Sequence, residues 1–188
     1  MSYDPARENP PLPASPWVER FVPPANNERH ALDVAAGGGR HTRLLMDRGW
    51  RVTAVDRDTG ALTQTFGGSG LVTLITADLE ADGGWPFTDQ TFDAIVVTNY
   101  LHRPLFPYLL GALAPGGLLI YETFALGHET IGRPRRPEFL LREGELLGVC
   151  RPLSIVAYEH GLTRNGQALV ERICAFRPER PPISLDRT

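Results

Sequence analysis

Two acidic residues with a run of small residues between them are the part of this sequence best suited to binding a ligand. Asp33 lies in one short apolar run, Asp56 follows another, and residues 35–39 between them read AAGGG. Residues without bulky side chains let the backbone approach a ligand, and an acid after the next strand can accept hydrogen bonds from ribose hydroxyls. The spacing predicts a strand, a glycine loop, a helix, a second strand and an acid, which is typical of sites for adenosine-bearing cofactors.

The positions of the small residues distinguish between two cofactor classes. The dinucleotide fingerprint is G-x-G-x-x-G, and if it began at Gly37 its third glycine would fall on position 42, a threonine. Small residues recur instead at Ala35, Gly37 and Gly39, with Asp33 before them. This pattern resembles motif I of the class I S-adenosylmethionine (SAM) methyltransferases, D/E-x-G-x-G-x-G, with Ala35 in place of the first glycine. In that family the motif I acid lies near the methionine end of SAM, and the acid corresponding to Asp56 holds the ribose.

The resemblance continues in order along most of the chain. Residues 92–97 (FDAIVV) match motif IV, and residues 113–117 (LAPGG) match a turn that is frequent before the fifth strand of this family. Residues 15–18, 99–104 and 139–146 are most similar to the small tellurite-resistance-type methyltransferases. Asp78 would contact adenine. The resemblance implies a cofactor-binding set of Asp33, Ala35, Gly37, Gly39, Asp56, Arg57, Asp78, Leu79 and Asn99.

Strand-like and helix-like segments alternate through the chain, which favours a parallel α/β sheet. We predict strands at residues 32–34, 52–55, 71–75, 92–97 and 118–124, and helices at residues 42–48, 62–66 and 105–113. The last third differs, because residues 154–158 and 168–176 are separated only by a short glycine-containing link, as in an antiparallel hairpin. The resemblance implies a seven-stranded, mostly parallel Rossmann-like sheet of order 3-2-1-4-5-7-6, with strand 7 antiparallel and helices on both faces.

Composition limits the function classes. The 188 residues are enough for one domain, and we predict a proline-rich tail at residues 1–16, a methyltransferase domain at 17–177 and a second tail at 178–188. The net charge of −3 and the absence of a basic domain argue against a nucleic-acid partner. No apolar stretch reaches the ~18 residues of a membrane span, so we expect a cytoplasmic protein with no membrane partner.

Other classes of chemistry lack the residues that they need. All 19 basic residues are arginine, which excludes Walker-A and Schiff-base lysines. Cys150 and Cys174 are isolated, and the five histidines show no metal-ligand spacing, so we predict no metal.

Candidate catalytic residues follow the fourth predicted strand, because ligands of open α/β sheets bind beyond the carboxyl ends of the strands. Tyr100 and His102 would then lie near the transferred methyl group. A general base is needed only if the nucleophile is protonated at neutral pH, and His102 is the first candidate, with Tyr100 or Glu122 behind it. The structural alternatives are a packing aromatic for Tyr100 and a polar residue at a helix start for His102.

A basic, proline-containing segment follows the fifth predicted strand. It either binds an anionic group of the substrate or forms a solvated loop. The candidate substrate residues in it are Arg133, Arg135 and Arg136.

The sequence therefore predicts a SAM-dependent methyltransferase that moves a methyl group to a small-molecule acceptor by in-line displacement. The absence of an N-P-P-Y tetrad after strand four argues against methylation of nucleobase amines. One alternative is an NAD(P)-dependent oxidoreductase, which the threonine at position 42 and the terminal hairpin argue against. A second alternative, a SAM-binding domain without catalysis, stays open at this point. No residue pattern specifies an oligomeric state.

Overall fold

Seven strands form a single sheet in the computed structural model, which describes residues 12–179. The strands are β1 (His30–Val34), β2 (Arg51–Asp56), β3 (Val72–Thr76), β4 (Phe92–Thr98), β5 (Leu113–Phe124), β6 (Ser154–Leu162) and β7 (Leu169–Phe176). Their order is β3-β2-β1-β4-β5-β7-β6. Strands β1 to β5 pair in parallel, whereas β7 runs antiparallel to both β5 and β6. The predicted fold class and strand order are confirmed.

Five short helices accompany the sheet. They are α1 (Pro16–Phe21), α2 (Arg40–Asp47), α3 (Gly60–Phe66), α4 (Phe106–Gly111) and α5 (Glu145–Val149), with 3-10 turns at Arg103–Leu105, His128–Thr130 and Pro137–Phe139. Within residues 12–179, no helix combines the length and the apolar character that a membrane crossing needs.

The hydrophobic core lies on both faces of the sheet, and β4 contributes to each. Ile95 and Val97 pack on the face covered by α4 and α5, and Ala94 and Val96 on the face covered by α1 and α2. All four are fully buried, as expected for a central parallel strand. Successive residues of a strand point to opposite faces, so this continuous apolar run serves two cores.

The segment that joins α4 to β5 differs from the prediction. The helix expected at residues 105–113 ends at Gly111, because Leu113 already pairs with Phe92 in the sheet. The LAPGG turn is a bulge inside β5, since the register shifts between Phe92 and Ala94. Gly116 lies there at a φ of 75° and donates its N–H to the carbonyl of Arg177.

Helix α5 was not among the predicted elements. It has only five residues, and one of them, Leu146, is fully buried. The buried carboxylate of Glu171 on β7 accepts hydrogen bonds from the backbone N–H groups of Gly144 (2.9 Å) and Leu146 (2.6 Å). Glu171, which is distant in the sequence, therefore satisfies free backbone N–H groups at the start of this helix. A local sequence pattern cannot reveal such a cap.

Candidate functional site

The glycine loop lies at the carboxyl end of β1. Ala35, Gly37 and Gly39 have φ values of 53°, 55° and 80°, in the left-handed region that favours glycine. Ala35 therefore makes the turn expected of a glycine, at a strain cost of about 1–2 kcal/mol. The next residue, Ala36, donates its N–H to the carbonyl of Val55 (3.1 Å), which joins the loop to β2.

Gly37 and Gly39 serve different purposes in the loop. A Cβ atom on Gly39 would lie 2.5 Å from Phe66 and 2.7 Å from Leu62, so the missing side chain lets the loop approach α3. A Cβ atom on Gly37 would meet no atom within 4 Å. Gly37 therefore borders open space, where a ligand can approach the backbone.

Asp56 links the end of β2 to the glycine loop. Its Oδ2 accepts a hydrogen bond from the backbone N–H of Gly37 (2.8 Å), and its Oδ1 accepts one from Asp58 (3.0 Å). It is not the cap of α3, whose N-cap residue is Thr59. A carboxylate has about four acceptor sites, so both oxygens retain capacity for ribose hydroxyls. Arg57, beside it, is exposed.

Asp33 is buried beneath the loop. Its carboxylate accepts a hydrogen bond from the hydroxyl of Thr42 (2.6 Å). Burial raises the pKa of Asp33 to about 6, against the opposing effect of the Thr42 hydrogen bond. The threonine at the position where a dinucleotide site needs glycine therefore ties β1 to α2. This contact gives Asp33 a role in holding the loop, and its direct contact with a cofactor stays a prediction.

Tyr100 lies on the same side of the site as the acidic residues. Burial raises the pKa of its phenol, and the neighbouring charges of Glu80, Asp78 and Asp56 raise it further. Asp78 is exposed and accepts a hydrogen bond from the N–H of Glu80 (3.0 Å), whereas Leu79 is buried in the core. The structure thus places Tyr100 near the predicted cofactor residues Asp56 and Asp78, and its position beside the transferred methyl group stays a prediction.

A large cleft opens next to the glycine loop and has a volume of about 960 Å³. One wall is residues 13–17, which we call the strap, and the opposite wall is the turn between β6 and β7, residues 162–168. The lining also includes Asn99, Glu122 and Phe124 at the carboxyl ends of β4 and β5, and Arg40 at the start of α2. Small-molecule sites usually measure about 300–1,000 Å³, so this cleft has room for a ligand.

Hydrogen bonds from Ser15 hold the strap in place. Its N–H donates to Nε2 of His41 (3.0 Å), its hydroxyl donates to Glu122 (2.7 Å), and the same hydroxyl accepts from the N–H of Trp17 (3.1 Å). Burial lowers the pKa of His41 to about 4, so its ring is neutral near pH 7. Because Nε2 accepts, Nδ1 carries the proton and faces the Thr98 hydroxyl at 3.2 Å.

Arg172 on β7 binds two carboxylates of the cleft. It donates to Glu122 (3.1 Å) and, through Nε, to Glu159 (2.9 Å). Its guanidinium also lies 4.8 Å from the ring centroid of Trp17, a cation–π distance. Sequence reasoning did not single out His41, Arg172 or Glu159, and for Ser15 the serine-proline start of α1 was the one local signal.

His102 is partly exposed and immediately precedes the turn after β4. The residue that follows, Arg103, forms a bidentate ion pair with Glu145 (2.6 and 2.9 Å) and donates to the carbonyls of Glu138 and Leu140. Arg103 thus anchors residues 138–145 to the end of β4, a role that was missed in the sequence.

The three candidate substrate arginines are exposed and are not among the residues that line the large cleft. Arg136 lies 3.9 Å from Glu138, and the loop is held from below by His128, whose Nε2 is 2.9 Å from the carbonyl of Arg133. The geometry of the described residues therefore does not bring Arg133, Arg135 and Arg136 to this cleft, and their contact with a substrate stays a prediction.

Comparisons with known proteins agree with this geometry. Residues 32–121, which span β1 to β5, match the family described as Methyltransferase domain. The sequence has no match among curated proteins.

Many solved structures share the fold. The N-methyltransferase NodS from Bradyrhizobium japonicum is 18% identical with a TM-score of 0.65, over 80% of this chain and 86% of that one. TehB from Haemophilus influenzae is 19% identical with a TM-score of 0.65, over 85% of this chain and 59% of that one. A SAM-dependent methyltransferase from Mesorhizobium loti is 17% identical with a TM-score of 0.67, over 86% and 96%.

The family match covers the glycine loop and the parallel strands. The sheet then ends with the antiparallel β7, which distinguishes it from a dinucleotide-binding fold. The chain therefore has the fold of the class I SAM-dependent methyltransferases, and its residues 32–121 match the methyltransferase family.

Proposed function

We propose that this protein transfers the methyl group of SAM to a small-molecule acceptor bound in the large cleft. One observation carries the proposal: Gly37 borders open space and donates its N–H to Asp56, and the same loop leads into Arg40, which lines a cleft of about 960 Å³. In this arrangement Asp56 and Asp78 bind the adenosine moiety, with Gly37 against the cofactor. The sulfonium then faces Asn99, at the end of β4.

Methyl transfer from a sulfonium makes modest chemical demands. The nucleophile attacks the methyl carbon in line with the C–S bond, which breaks as the new bond forms, and the positive charge on sulfur disappears. Positioning and exclusion of water supply most of the acceleration. The strap, held by Ser15 on His41 and Glu122, forms one wall of the cleft and excludes water from that side.

His102 remains the proposed general base for an acceptor that is protonated at neutral pH. The raised pKa of Tyr100 keeps its phenol protonated near pH 7, so Tyr100 serves as a hydrogen-bond donor and not as a base. Glu122 already accepts hydrogen bonds from Ser15 and Arg172. The partly exposed His102 makes no such side-chain hydrogen bond among the residues described. Because it is not among the residues that line the cleft, the acceptor must extend past Asn99 to reach it.

Two proteins with this fold are named for the molecules that they methylate. They are a glycopeptide N-methyltransferase and 1,6-didemethyltoxoflavin-N1-methyltransferase from Burkholderia thailandensis, the latter with a TM-score of 0.59 and 20% identity. These neighbours support a small acceptor. We retain the cytoplasmic location and the absence of nucleic-acid and membrane partners as proposals from the sequence.

The fold also occurs in a protein of different function, which favours a second candidate. The [4+2]-cyclase SpnF has a TM-score of 0.62 and 16% identity over 81% of this chain. A chain with this fold can therefore differ from its neighbours in reaction, so a SAM-binding protein without methyl transfer is the alternative.

Calorimetry with SAM and S-adenosylhomocysteine, followed by transfer of an isotope-labelled methyl group to a panel of small acceptors, tests the proposal. We expect both cofactor forms to bind and NAD not to bind. The Asp56→Ala variant should bind SAM about 10- to 150-fold more weakly, since a hydrogen bond to a charged group contributes about 1.5–3 kcal/mol. Asp89→Ala, at an exposed acid outside the site, is the matched control. NAD binding without SAM binding contradicts the proposal, and SAM binding without any transfer favours the alternative.

A further inference from the structure

The large cleft is positively charged although the chain as a whole is not. Its lining contains the arginines Arg20, Arg40, Arg164 and Arg172 but only two acids, Glu122 and Glu159. The whole chain has a net charge of −3. A positive cleft in a negative protein attracts ligands of opposite charge.

Both acids are already engaged with arginines of the same cleft. Arg172 is 3.1 Å from Glu122 and also contacts Glu159. Arg20 lies 3.7 Å from Glu159. The side chains of Arg172 and Glu122 are only 24% and 12% exposed, so this pair is largely shielded from solvent. These contacts neutralise the acids and half of the arginines.

Arg40 and Arg164 are the charges that remain. Arg40 follows the glycine loop at the start of α2 and donates to the carbonyl of Pro13 (3.3 Å). Arg164 lies on the turn between β6 and β7 and is exposed. Among residues 12–179, neither has a carboxylate within ion-pair distance. One therefore lies at the cofactor side of the cleft and the other on its outer wall.

The opposite side of the site has the opposite charge. Asp56, Asp78 and Glu80 surround Tyr100, where the adenosine moiety is proposed to bind. The cationic sulfonium of SAM would thus lie between an acidic region and a basic region. An acceptor with an anionic group is attracted both to the two arginines and to the sulfonium that it must approach.

We propose that the methyl acceptor is a small organic acid, whose carboxylate or phosphate group binds between Arg40 and Arg164. This inference rests on the proposed function and specifies its substrate class. Guanidinium groups bind both kinds of anion through paired N–H donors, so the two share one recognition chemistry. The anion fixes the orientation of the acceptor, and its nucleophilic atom then points to Asn99 and the methyl group.

A panel of matched acceptors tests the inference. It contains aliphatic and aromatic carboxylic acids with their primary amides, and phosphate monoesters with their parent alcohols. Binding to the complex with S-adenosylhomocysteine is measured by calorimetry, and methyl transfer by mass spectrometry. We expect acids to bind and react in preference to their neutral partners. Comparison of the carboxylic acids with the phosphate monoesters shows which of the two anions the site binds.

Arginine variants locate the binding site. Arg164→Gln should raise KM or Kd for the anionic acceptor about 10- to 100-fold and leave kcat and S-adenosylhomocysteine affinity unchanged. Arg40→Gln should weaken the same acceptor. Arg151→Gln, an exposed arginine after α5 outside the cleft, is the control and should change neither value.

Failure of the inference is distinguishable from failure of the proposed function. If S-adenosylhomocysteine binds but no acid in the panel does, or neutral partners are accepted equally, the inference is overturned and the proposed function stands. An unchanged KM in Arg164→Gln also overturns it. If S-adenosylhomocysteine does not bind, the proposed function fails first.

Discussion

Asp33 and His41 lie on the two sides of the glycine loop, and burial shifts their pKa values in opposite directions. Asp33 rises from 3.8 to about 6, and His41 falls from 6.5 to about 4. Between pH 4 and 6, the folded state holds the Asp33 proton more tightly than the unfolded state, so this group lowers stability as pH rises. His41 does the reverse, because the unfolded state takes up the proton first as pH falls. The two effects nearly cancel in the native protein.

Removing one group should therefore reveal the other. Each shift corresponds to about 3 kcal/mol, at 1.36 kcal/mol for each pKa unit. The free energy of unfolding of Asp33→Asn should rise by about 3 kcal/mol as the pH rises from 4 to 6.5, whereas that of the native protein should hardly change. The free energy of unfolding of His41→Gln should fall by a similar amount over the same interval. Urea unfolding at several pH values measures both, and parallel pH profiles for the three proteins would contradict the assignment.

Removal of the His102 side chain tests whether this residue acts as a general base. His102→Ala should lower kcat about 10²–10⁴-fold on an acceptor that must lose a proton, because that is the usual contribution of a general base. SAM affinity should hardly change, since His102 is proposed to contact the acceptor and not the adenosine. Full turnover in His102→Ala would show that the base is elsewhere or is not needed.

The strap is the element that depends most on single contacts. Ser15→Ala removes the hydroxyl that caps α1 and donates to Glu122. We expect a loss of about 0.5–2 kcal/mol in the free energy of unfolding, the usual cost of removing a helix cap. The KM of the acceptor should rise more than that of SAM, since the strap lines the cleft and not the Asp56 site. Denaturant unfolding and steady-state kinetics measure these effects.

Thr88→Ala is a suitable control, because this exposed hydroxyl lies in the connection between β3 and β4, away from the cleft. It should leave both stability and KM unchanged. Equal increases in the KM of SAM and of the acceptor for Ser15→Ala would show that the strap organises the whole site and not the cleft alone.

Elements whose signals are local were predictable from the sequence. The glycine loop, the buried β4 run and the β6–β7 hairpin depend on residues close in the chain, and all three are observed. The strap contacts were not predictable, because Ser15 meets partners 26 and 107 residues away. The order of the basic segment after β5 was predictable, but its position in space was not. His128, which contacts the carbonyl of Arg133, is itself held by the N–H of Leu169, 41 residues away.

For the whole molecule, the antiparallel end of the sheet decides what the ligand site can be. Five parallel strands bring the glycine loop, Asp56, Asn99 and Glu122 to one edge, where the carboxyl ends of the strands meet. Strand β7 then returns along β5 and brings Arg172 to Glu122, and its hairpin turn forms the outer wall of the cleft. The proposed cofactor site thus belongs to the parallel half, and much of the acceptor cleft to the antiparallel half.

The two cysteines report on the integrity of this whole structure. Cys150 and Cys174 are almost completely buried, and burial raises the pKa of each thiol to about 12. Both should react slowly with thiol reagents in the native protein and rapidly once it unfolds, because the thiolate is the reactive form. Ligand binding to the folded state should slow this reaction further.

S-adenosylhomocysteine at about 100 times its Kd stabilises the folded state by about 2.7 kcal/mol. Labelling that requires global unfolding should therefore slow about 100-fold in its presence, for Cys174 in β7 as well as for Cys150. Mass spectrometry of each cysteine peptide measures the two rates separately. Protection of Cys150 alone would show that β7 opens independently of the cofactor-binding half. Rapid labelling of native Cys174 would contradict its position in the sheet.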